Sequence, residues 1–488
     1  MTDKIIGKIT GKEYFVTIGL EIHAEMKTKT KMFCSCKNDP FNSAPNTHIC
    51  PICTGQPGTL PYVNKQACKN VMKVGVALGA DLADFSEFDR KNYFYPDIPK
   101  AYQISQYQYP LVSNGSLVGV DITRIHMEED TATSIHKEGK SLVDYNRSSV
   151  PLMELVTEPV IHDAETAMKF AKELQLLLRT LGVSDANLEK GEMRIEANIS
   201  LSEKGYFDGD FSKLGVKTEV KNLNSFKIVG QAIEFEIARH LAILEGETKG
   251  EIVQETRGWD ENKQRTFSQR TKESADDYRY FPDPDIPKYK FSELPEFSKE
   301  ELQKELPELP WIKRERYIKD YGIQVDDVEF YLNNLQFDRI FSEAVKILEK
   351  DGYKKLSNYI STDLAGLEKN DEMGNLENIK GVEIAEMVKM ILGGELSSRG
   401  AKDLLLEMYK NGGGAKDIAE KKGLIQKSDE GQLKKIIEEI IEANPKQVED
   451  YKKGEEKLLQ YFVGQGMKAT QGSANPGILA KLFKEMLN

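Results

Sequence analysis

The sequence lacks any stretch of about eighteen apolar residues, which a helix needs to cross a bilayer. Its first residues, Met-Thr-Asp-Lys-Ile-Ile, lack the basic start, apolar core and small-residue cleavage site of a signal peptide. We therefore expect a cytoplasmic protein with no membrane partner. The net charge of -12 disfavours a general nucleic-acid coat, so no DNA partner is expected. RNA binding through a local patch stays open.

Several catalytic motifs are also missing. The chain has no G-x-x-x-x-G-K-[ST] phosphate loop, no G-x-S-x-G elbow and no H-E-x-x-H zinc helix. No serine or cysteine stands in an obvious nucleophile context.

Cysteine is scarce, but four of the five cysteines are clustered, at Cys34, Cys36, Cys50 and Cys53. Two close pairs of thiols on separate turns can supply a closed tetrahedral Zn²⁺ site, although His48 could replace one ligand. Four thiolates leave no open position, so this zinc would be structural. Cys68 lies in a helical apolar pattern and is predicted to be a buried core thiol.

The pattern of apolar residues predicts an α+β protein in which only helices follow residue 294. Strands are predicted at 16–25, 117–128, 192–201 and 216–221, and helices at 65–78, 164–181 and 432–443. A proline-rich stretch from about residue 281 marks one boundary, and three consecutive glycines at 412–414 mark a weaker one. We therefore expect a catalytic domain with a zinc-binding insertion (1–293), a helical domain (294–410) and a tail domain (411–488).

One predicted strand concentrates ionisable side chains on a single face. Alternation along residues 16–25 places Glu21, His23 and Glu25 together. A divalent cation would relieve the repulsion between the carboxylates, and oxygen-rich ligands favour Mg²⁺. The alternative is a solvated outer face. Glu154 is a single acid in an apolar strand, and burying its charge costs free energy unless it is paired or metal-bound.

Further strand-like segments with acids and bases occur at 124–130, 192–200 and 217–221. Several such strands facing inward would form a cradle for Mg-ATP, in which cations neutralise phosphate and carboxylates hold the metal. Residues 90–106 are rich in aromatic and amide side chains. This segment could stack on bases, line a polar passage, or form an ordinary edge of the core.

Longer motifs identify a family resemblance. They are Ile-Gly-Leu-Glu-Ile-His (18–23), Phe-Asp-Arg-Lys-Asn-Tyr-Phe-Tyr-Pro-Asp (88–97), Ala-Tyr-Gln-Ile-Ser-Gln (101–106), His-Met-Glu-Glu-Asp (126–130), Lys-Asn-Leu-Asn-Ser-Phe (221–226) and Asp-Tyr-Arg-Tyr-Phe-Pro (277–282). Together they resemble the GatB family, whose members form one of the subunits of the tRNA-dependent aspartyl/glutamyl amidotransferase. Residues 464–468 and 472–476 are similar to C-terminal motifs that this family shares with small YqeY-like proteins. The likeness covers essentially the whole chain.

The resemblance implies a cradle domain related in fold to glutamine synthetase, a helical domain and a YqeY-like tail domain. It also implies a heterotrimeric ligase that uses ATP, Mg²⁺ and Zn²⁺. In that assembly a glutaminase partner supplies ammonia through a channel, and a third, small partner chain braces the complex. The GatB chain then amidates the glutamate or aspartate carried by tRNA(Gln) or tRNA(Asn).

The resemblance further assigns individual residues. Its implied Mg²⁺ ligands, which would be catalytic, are Glu21, His23, Glu129 and Glu154. Lys91 and Lys100 would line the polar route towards them, and the four clustered cysteines correspond to a zinc site that some members keep. From Lys468 onward three lysines and one glutamate give +2, so the tail is predicted to touch tRNA. The alternative is the ordinary surface charge of a helical bundle.

Three other functions compete with this interpretation. The first is a free-standing, glutamine-synthetase-like ligase for a small carboxylate. The second is a non-catalytic, zinc-containing RNA-binding protein, which would leave the acidic strands without a purpose. The third is the related, Glu-only GatE protein, whose large inserted domain leaves little room in 488 residues.

Overall fold

The computed structural model describes residues 4–271, 278–370, 373–426, 430–470 and 474–487. Asp277 of the 277–282 motif, and Gly472 and Ser473 of the 472–476 motif, lie outside the described residues. The chain forms two compact units, Met1–Leu309 and Pro310–Asn488. A large sheet dominates the first and helices dominate the second, so the predicted α+β class is confirmed. The relation to glutamine synthetase and the three-domain division stay predictions.

The first unit alternates strands with three long helices. Its described strands are β1 (Lys4–Ile6), β2 (Glu13–Glu25), β3 (Asp81–Leu82), β4 (Phe85–Ser86), β5 (Asp89–Asn92), β6 (Tyr102–Ser105), β7 (Val112–Ser113), β8 (Ser116–Leu117), β9 (Val120–Glu129), β10 (Thr133–Lys137), β11 (Lys140–Asp144), β12 (Pro151–Thr157), β13 (Met193–Ser202), β14 (Thr218–Lys221), β15 (Glu255–Asp260), β16 (Arg265–Thr271), β17 (Phe281–Pro282) and β18 (Tyr289–Lys290). Its described α-helices are α1 (Lys65–Ala77), α2 (Ala164–Thr180), α3 (Phe226–Leu244) and the short α4 (Lys299–Lys304).

One sheet organises this unit, with the strand order β16-β15-β14-β13-β2-β12-β9-β7-β3. Neighbouring strands in this order are antiparallel except β14 and β15, which are parallel. Strand β2 is central because its alternating apolar residues Ile18, Leu20 and Ile22 are all buried. Burying such a side chain stabilises the fold by about 1.5–3 kcal/mol. Helix α3 packs on β13 and β16, and α2 packs on α3.

Local signals in the sequence set the ends of the helices. Asn64 caps α1 by accepting hydrogen bonds from the backbone N–H groups of Gln66 and Ala67, and Asp163 caps α2 in the same way through Thr166. Gly79 and Gly182 follow these helices with φ of 67° each, a conformation that favours glycine. Both predicted helices are therefore confirmed within one residue.

The predicted strand at 117–128 is wrong in one respect, because a tight turn divides it. β8 and β9 form a hairpin around Val118 and Gly119, which have φ of 47° and 82°. Positive φ at both central residues matches the twist of a two-residue hairpin. Valine is a strand former, so alternation alone missed this turn; Gly119 was the available signal.

In the described part of the second unit the regular elements are helices. They are α5 (Pro310–Lys319), α6 (Val325–Asn333), α7 (Leu335–Ala344), α8 (Lys350–Asn358), α9 (Ala365–Lys369), α10 (Gly381–Leu392), α11 (Ser398–Asn411), α12 (Ala415–Lys421), α13 (Glu430–Ala443), α14 (Pro445–Lys452), α15 (Leu458–Ala469) and α16 (Pro476–Leu487). The last four enclose a core that includes Ile437, Phe462 and Phe483. Over the described residues, no helix is both long and apolar enough to cross a membrane.

Candidate active site

The register of four neighbouring strands brings acids and imidazoles onto one face of the large sheet. Glu154 on β12 lies directly opposite His23 on β2 and His126 on β9. Glu21 lies opposite Glu196 on β13. Directly opposed side chains share a face with their Cβ atoms about 5 Å apart, so these residues form one cluster.

Glu154 is the centre of this cluster. One of its carboxylate oxygens, Oε2, lies 3.3 Å from Nε2 of His23 and 3.3 Å from Nε2 of His126. Glu128 extends the group, with Oε1 3.7 Å from His126 Nε2. Glu21 Oε1 lies 4.0 Å from His23 Nε2. Glu154, His126 and Glu128 are all buried, so their charges must be balanced by neighbours or by an ion.

The electrostatics of the cluster follow from this burial. Burial alone raises the pKa of Glu154, but His126 and His23 hold it well below its ordinary value. Burial lowers the pKa of His23, whereas Glu154, Glu21 and Glu196 raise it to about 9. Burial raises the pKa of Glu21, and the negative charges of Glu154 and Glu196 raise it further, to about 7. The carboxylates thus attract any available cation.

The donor atoms fit a divalent metal. Three overlapping sets have their donor atoms within 4.8 Å of one another: Glu21, His23 and Glu154; His126, Glu128 and Glu154; and Glu21, Glu196 and Glu219. Carboxylate oxygens outnumber imidazole nitrogens, which favours Mg²⁺ over softer metals. These side chains could therefore hold Mg²⁺ on the face of the sheet.

Three of the four predicted Mg²⁺ ligands lie together, and the fourth, on β9, points to the opposite face of the sheet. Glu21, His23 and Glu154 come together, but Glu129 belongs to none of the three donor sets of the described residues. Instead, Glu129 Oε1 accepts a hydrogen bond of 2.8 Å from the Ile104 N–H and is ion-paired with Lys100. Glu128, its neighbour, points into the cluster, because successive side chains of a strand alternate.

Glu25, the third acid predicted on the face of β2, lies further along the strand. It interacts with Asp130, which is ion-paired with Arg194 and with Arg147. Burial raises the pKa of Glu25, and the negative charge of Asp130 raises it further, to about 8. Glu25 therefore belongs to a buried ionic network beside the candidate metal ligands, and not to the cluster centred on Glu154.

The two predicted lysines line adjoining cavities. Lys91 opens on a cavity of about 450 Å³ whose wall includes Tyr93, Tyr278 and Lys221. A smaller cavity is lined by Lys100 and Glu129 and shares three residues with the first, namely Asp97, Ile98 and Thr131. The two cavities therefore adjoin.

Lys91 also contacts the carboxylate cluster directly. Its Nζ lies 3.8 Å from Glu128 Oε1. Burial lowers the pKa of Lys91, but Glu128 raises it well above its ordinary value. Lys91 is thus a fixed cation at the edge of the cluster and is not suited to accept a proton.

The four clustered cysteines form a second candidate metal centre. Their Sγ atoms all lie within 4.8 Å of one another. Tetrahedral Zn²⁺ with bonds of about 2.3 Å places sulfurs about 3.8 Å apart, so the donor set fits zinc. The backbone N–H of Cys50 donates to Cys53 Sγ over 3.2 Å, and Lys31 Nζ donates to the same sulfur over 3.8 Å.

The two other residues considered with this cluster have different environments. His48, the alternative ligand, is hydrogen-bonded to Ser43 through Nε2. Among the described residues it belongs to none of the groups that could hold a metal ion. Cys68 is buried, as predicted, and burial raises its pKa to about 12. Neither residue contributes to the candidate metal centre.

The sequence predicted that the segments 124–130, 192–200 and 217–221 form the cradle, but it did not single out several members of the acidic face. They are Arg124, His126, Glu128, Glu196, Glu219 and Lys221, each of which contacts or belongs to a donor set. Alternation within residues 124–130 and 192–200 was the available signal. It could not be used without the register that places these strands beside β2.

Two family models match this chain. Residues 16–294 match the model described as the GatB/GatE catalytic domain, and residues 339–487 match the model described as the GatB domain. The chain belongs to the GatB family. This confirms the resemblance predicted from the motifs.

Full-length relatives support the same assignment. A protein of Persephonella marina is 45% identical over 97% of this chain and 100% of its own length. Others from Thermodesulfovibrio yellowstonii and Carboxydothermus hydrogenoformans are 43% and 42% identical over 97% and 98% of this chain, and over 99% of their own lengths. All three are named as the B subunit of an aspartyl/glutamyl-tRNA(Asn/Gln) amidotransferase. The GatB chain is accordingly part of an amidotransferase.

Proposed function

We propose that this chain activates the side-chain carboxylate of glutamate or aspartate attached to tRNA, using ATP, and then amidates it with ammonia. The observation that carries this proposal is the convergence of Glu21, His23 and Glu154, with Glu128 and His126, on one buried face. Such a face suits phosphoryl transfer, in which positioning and electrostatic stabilisation supply most of the catalysis. The names of the relatives supply the substrate class.

The chemistry requires activation because a carboxylate is a poor acyl donor. An oxygen of the carboxylate attacks the γ-phosphorus of ATP, ADP leaves, and an acyl phosphate forms. Ammonia then attacks the acyl carbon and inorganic phosphate leaves. Mg²⁺ held by the carboxylates would spread the charge of the transferring phosphoryl group. Lys91 and Lys221, which line the large cavity, would attract and orient the phosphates.

Ammonia would approach through the adjoining cavities. Most of it is ammonium near pH 7, so a proton must be removed on the way. Lys91 is unsuited to this because of its raised pKa, whereas Glu129 has one buried oxygen, Oε2, with no hydrogen-bond partner among the described residues. Glu129 would accept the proton, and Lys100 would hold its carboxylate in place.

The remaining assignments complete the proposed assembly. A glutaminase partner would supply ammonia and a third, small partner chain would brace the complex, in the cytoplasm. The first domain would be a cradle related to that of glutamine synthetase, spanning 1–293, with a structural Zn²⁺ on the four cysteines. A helical domain (294–410) would follow, and a YqeY-like tail (411–488) would contact the tRNA.

The decisive experiment is Glu154→Gln in the reconstituted complex. Removal of the central charge is expected to abolish ATP-dependent amidation of Glu-tRNA(Gln) and Asp-tRNA(Asn), while glutamine hydrolysis by the partner continues. Glu165→Gln, on the exposed first turn of α2, is the matched control and should amidate normally. Normal amidation by Glu154→Gln would refute the assignment.

The same assay separates the competing functions. A free-standing ligase would turn over ATP on a small carboxylate without charged tRNA. A non-catalytic RNA-binding protein would hydrolyse no ATP in any assembly. We expect ATP turnover only when mischarged tRNA is present.

A further inference from the structure

A third cavity continues the acidic face of the sheet. It has a volume of about 410 Å³. Register places Asn198 opposite Gly19 and Ser200 opposite Thr17, two and four residues beyond the Glu21–Glu196 pair. Strands rise about 3.3 Å per residue, so these two positions lie about 7 and 13 Å along the strands from that pair. We refer to this cavity, lined by Thr17, Gly19, Arg124, Val156, Asn198 and Phe211 among others, as the slot.

The slot has mostly apolar walls. Val156, Pro159, Leu214 and Phe211 contribute them. Phe211 is 73% exposed, although an aromatic ring of this size is ordinarily covered. An exposed aromatic ring at the mouth of an apolar cavity can stack on a flat heterocycle. The apolar part of the lining therefore suits a planar, uncharged ring.

Asn198 provides a hydrogen-bonding group within the slot. Its side-chain oxygen is buried and has no hydrogen-bond partner in the described part of the chain. An asparagine amide offers one acceptor and two donors. This pattern matches the edge of adenine, which presents an amino donor beside a ring-nitrogen acceptor. A nucleobase in the slot would satisfy the unpaired oxygen.

Arg124 connects the slot with the carboxylate cluster. Its Nη2 lies 3.9 Å from Glu154 Oε1, and its side chain also lines the slot. Its buried Nε has no hydrogen-bond partner among the described residues. A guanidinium between the slot and the metal-binding cluster would contact the phosphate or ribose of a nucleotide bound there.

We propose that the slot binds an adenosine moiety, with Phe211 stacked on the base and Asn198 paired with its edge. This inference rests on the proposed function, which involves two adenosines: that of ATP and the one at the 3′ end of the tRNA. Both present the same chemistry to the slot, and the experiment below distinguishes them.

The test measures equilibrium binding to the full chain within the reconstituted complex. The ligands are ATP, adenosine, inosine and a 3′-glutamyl-adenosine, and the variants are Phe211→Ala and Asn198→Ala. Asn262→Ala, in the exposed turn between β15 and β16, is the control. Loss of stacking should weaken binding of the adenosine ligands to Phe211→Ala about 5- to 150-fold. Asn198→Ala should lose the preference for adenosine over inosine.

Each result has a defined meaning. If the variants bind only ATP more weakly, the slot is assigned to the nucleotide. If they bind only glutamyl-adenosine more weakly, it is assigned to the 3′ end of the tRNA. Unchanged binding of both ligands by both variants would overturn the inference, as would a defect of Phe211→Ala in complex assembly alone. Because Phe211 is exposed, its truncation should leave the fold intact, which thermal unfolding would verify.

The binding assay also separates this inference from the proposed function. If both variants bind adenosine ligands normally while the wild-type complex amidates tRNA, only the slot assignment fails. If the wild-type complex binds adenosine through the slot but performs no ATP-dependent amidation, only the proposed function fails.

Discussion

Glu128 and Glu129 offer a direct comparison between the ligand set implied by family motifs and the one that the strand geometry supports. Glu128 is 3% exposed and lies 3.8 Å from Lys91 and 3.7 Å from His126. It also accepts hydrogen bonds of 2.6 Å from Ser105 Oγ and 3.1 Å from Gln103 Nε2. In Glu128→Gln, Lys91 would lose the anion that it contacts, and His126 would keep only Glu154 as a nearby anion. Breaking a buried ion pair in this way costs about 3–5 kcal/mol of folding stability.

The assay pairs chemical denaturation with Mg²⁺ titration of amidation. Glu128→Gln should be less stable by about 3–5 kcal/mol without added metal and should need more Mg²⁺ for half-maximal amidation. Glu129→Gln should lose amide formation but keep the wild-type Mg²⁺ requirement for tRNA-dependent release of ADP, while the partner's glutaminase activity continues. The opposite pattern, in which only Glu129→Gln changes the Mg²⁺ requirement, would refute the geometric assignment of the ligands.

Two further predictions concern stability and tRNA binding. Burial raises the pKa of Glu236, but hydrogen bonds from His240, Arg239 and Thr266 lower it from 4.5 to about 2. This group therefore stabilises the fold above about pH 4.5 by up to about 3 kcal/mol, and the contribution is lost as the pH falls towards 2. Denaturation of Glu236→Gln should show that deficit at pH 7 and little of it near pH 2; a constant deficit would contradict the reasoning. Deleting residues 411–488 should weaken tRNA binding without stopping glutamine hydrolysis, and an unchanged tRNA affinity would exclude a role for the tail.

Local signals in the sequence were sufficient for much of the fold. Asn64 and Asp163 marked the starts of α1 and α2 because capping depends on residues within one turn. Alternation located β2 and β13 because a half-buried strand must repeat every two residues. The hairpin at Val118 was missed because its turn contradicts the preference of valine for extended backbone.

The site was less predictable than the fold, for a physical reason. Glu21 and His23 could be placed on one face from β2 alone. Which residues of β9 and β12 join them depends on the register between strands far apart in sequence, and a shift of one residue exchanges the two faces. Motif resemblance implied Glu129 as a ligand, whereas the register presents Glu128 to the cluster.

The cysteine loop and the candidate ammonia route are physically connected through Gly55 and Lys100. Gly55 has a φ of 68°, and a Cβ atom there would lie 2.4 Å from Lys100 Cγ and 2.9 Å from its Cα. Lys100 in turn is ion-paired with Glu129, and its ammonium lies 5.8 Å from the ring centre of Phe33, the neighbour of Cys34. A zinc ion that fixes the loop would therefore also fix the lysine that holds Glu129. A structural metal with no open coordination position can in this way act on the chemistry, by setting the position of a buried ion pair beside the acidic face.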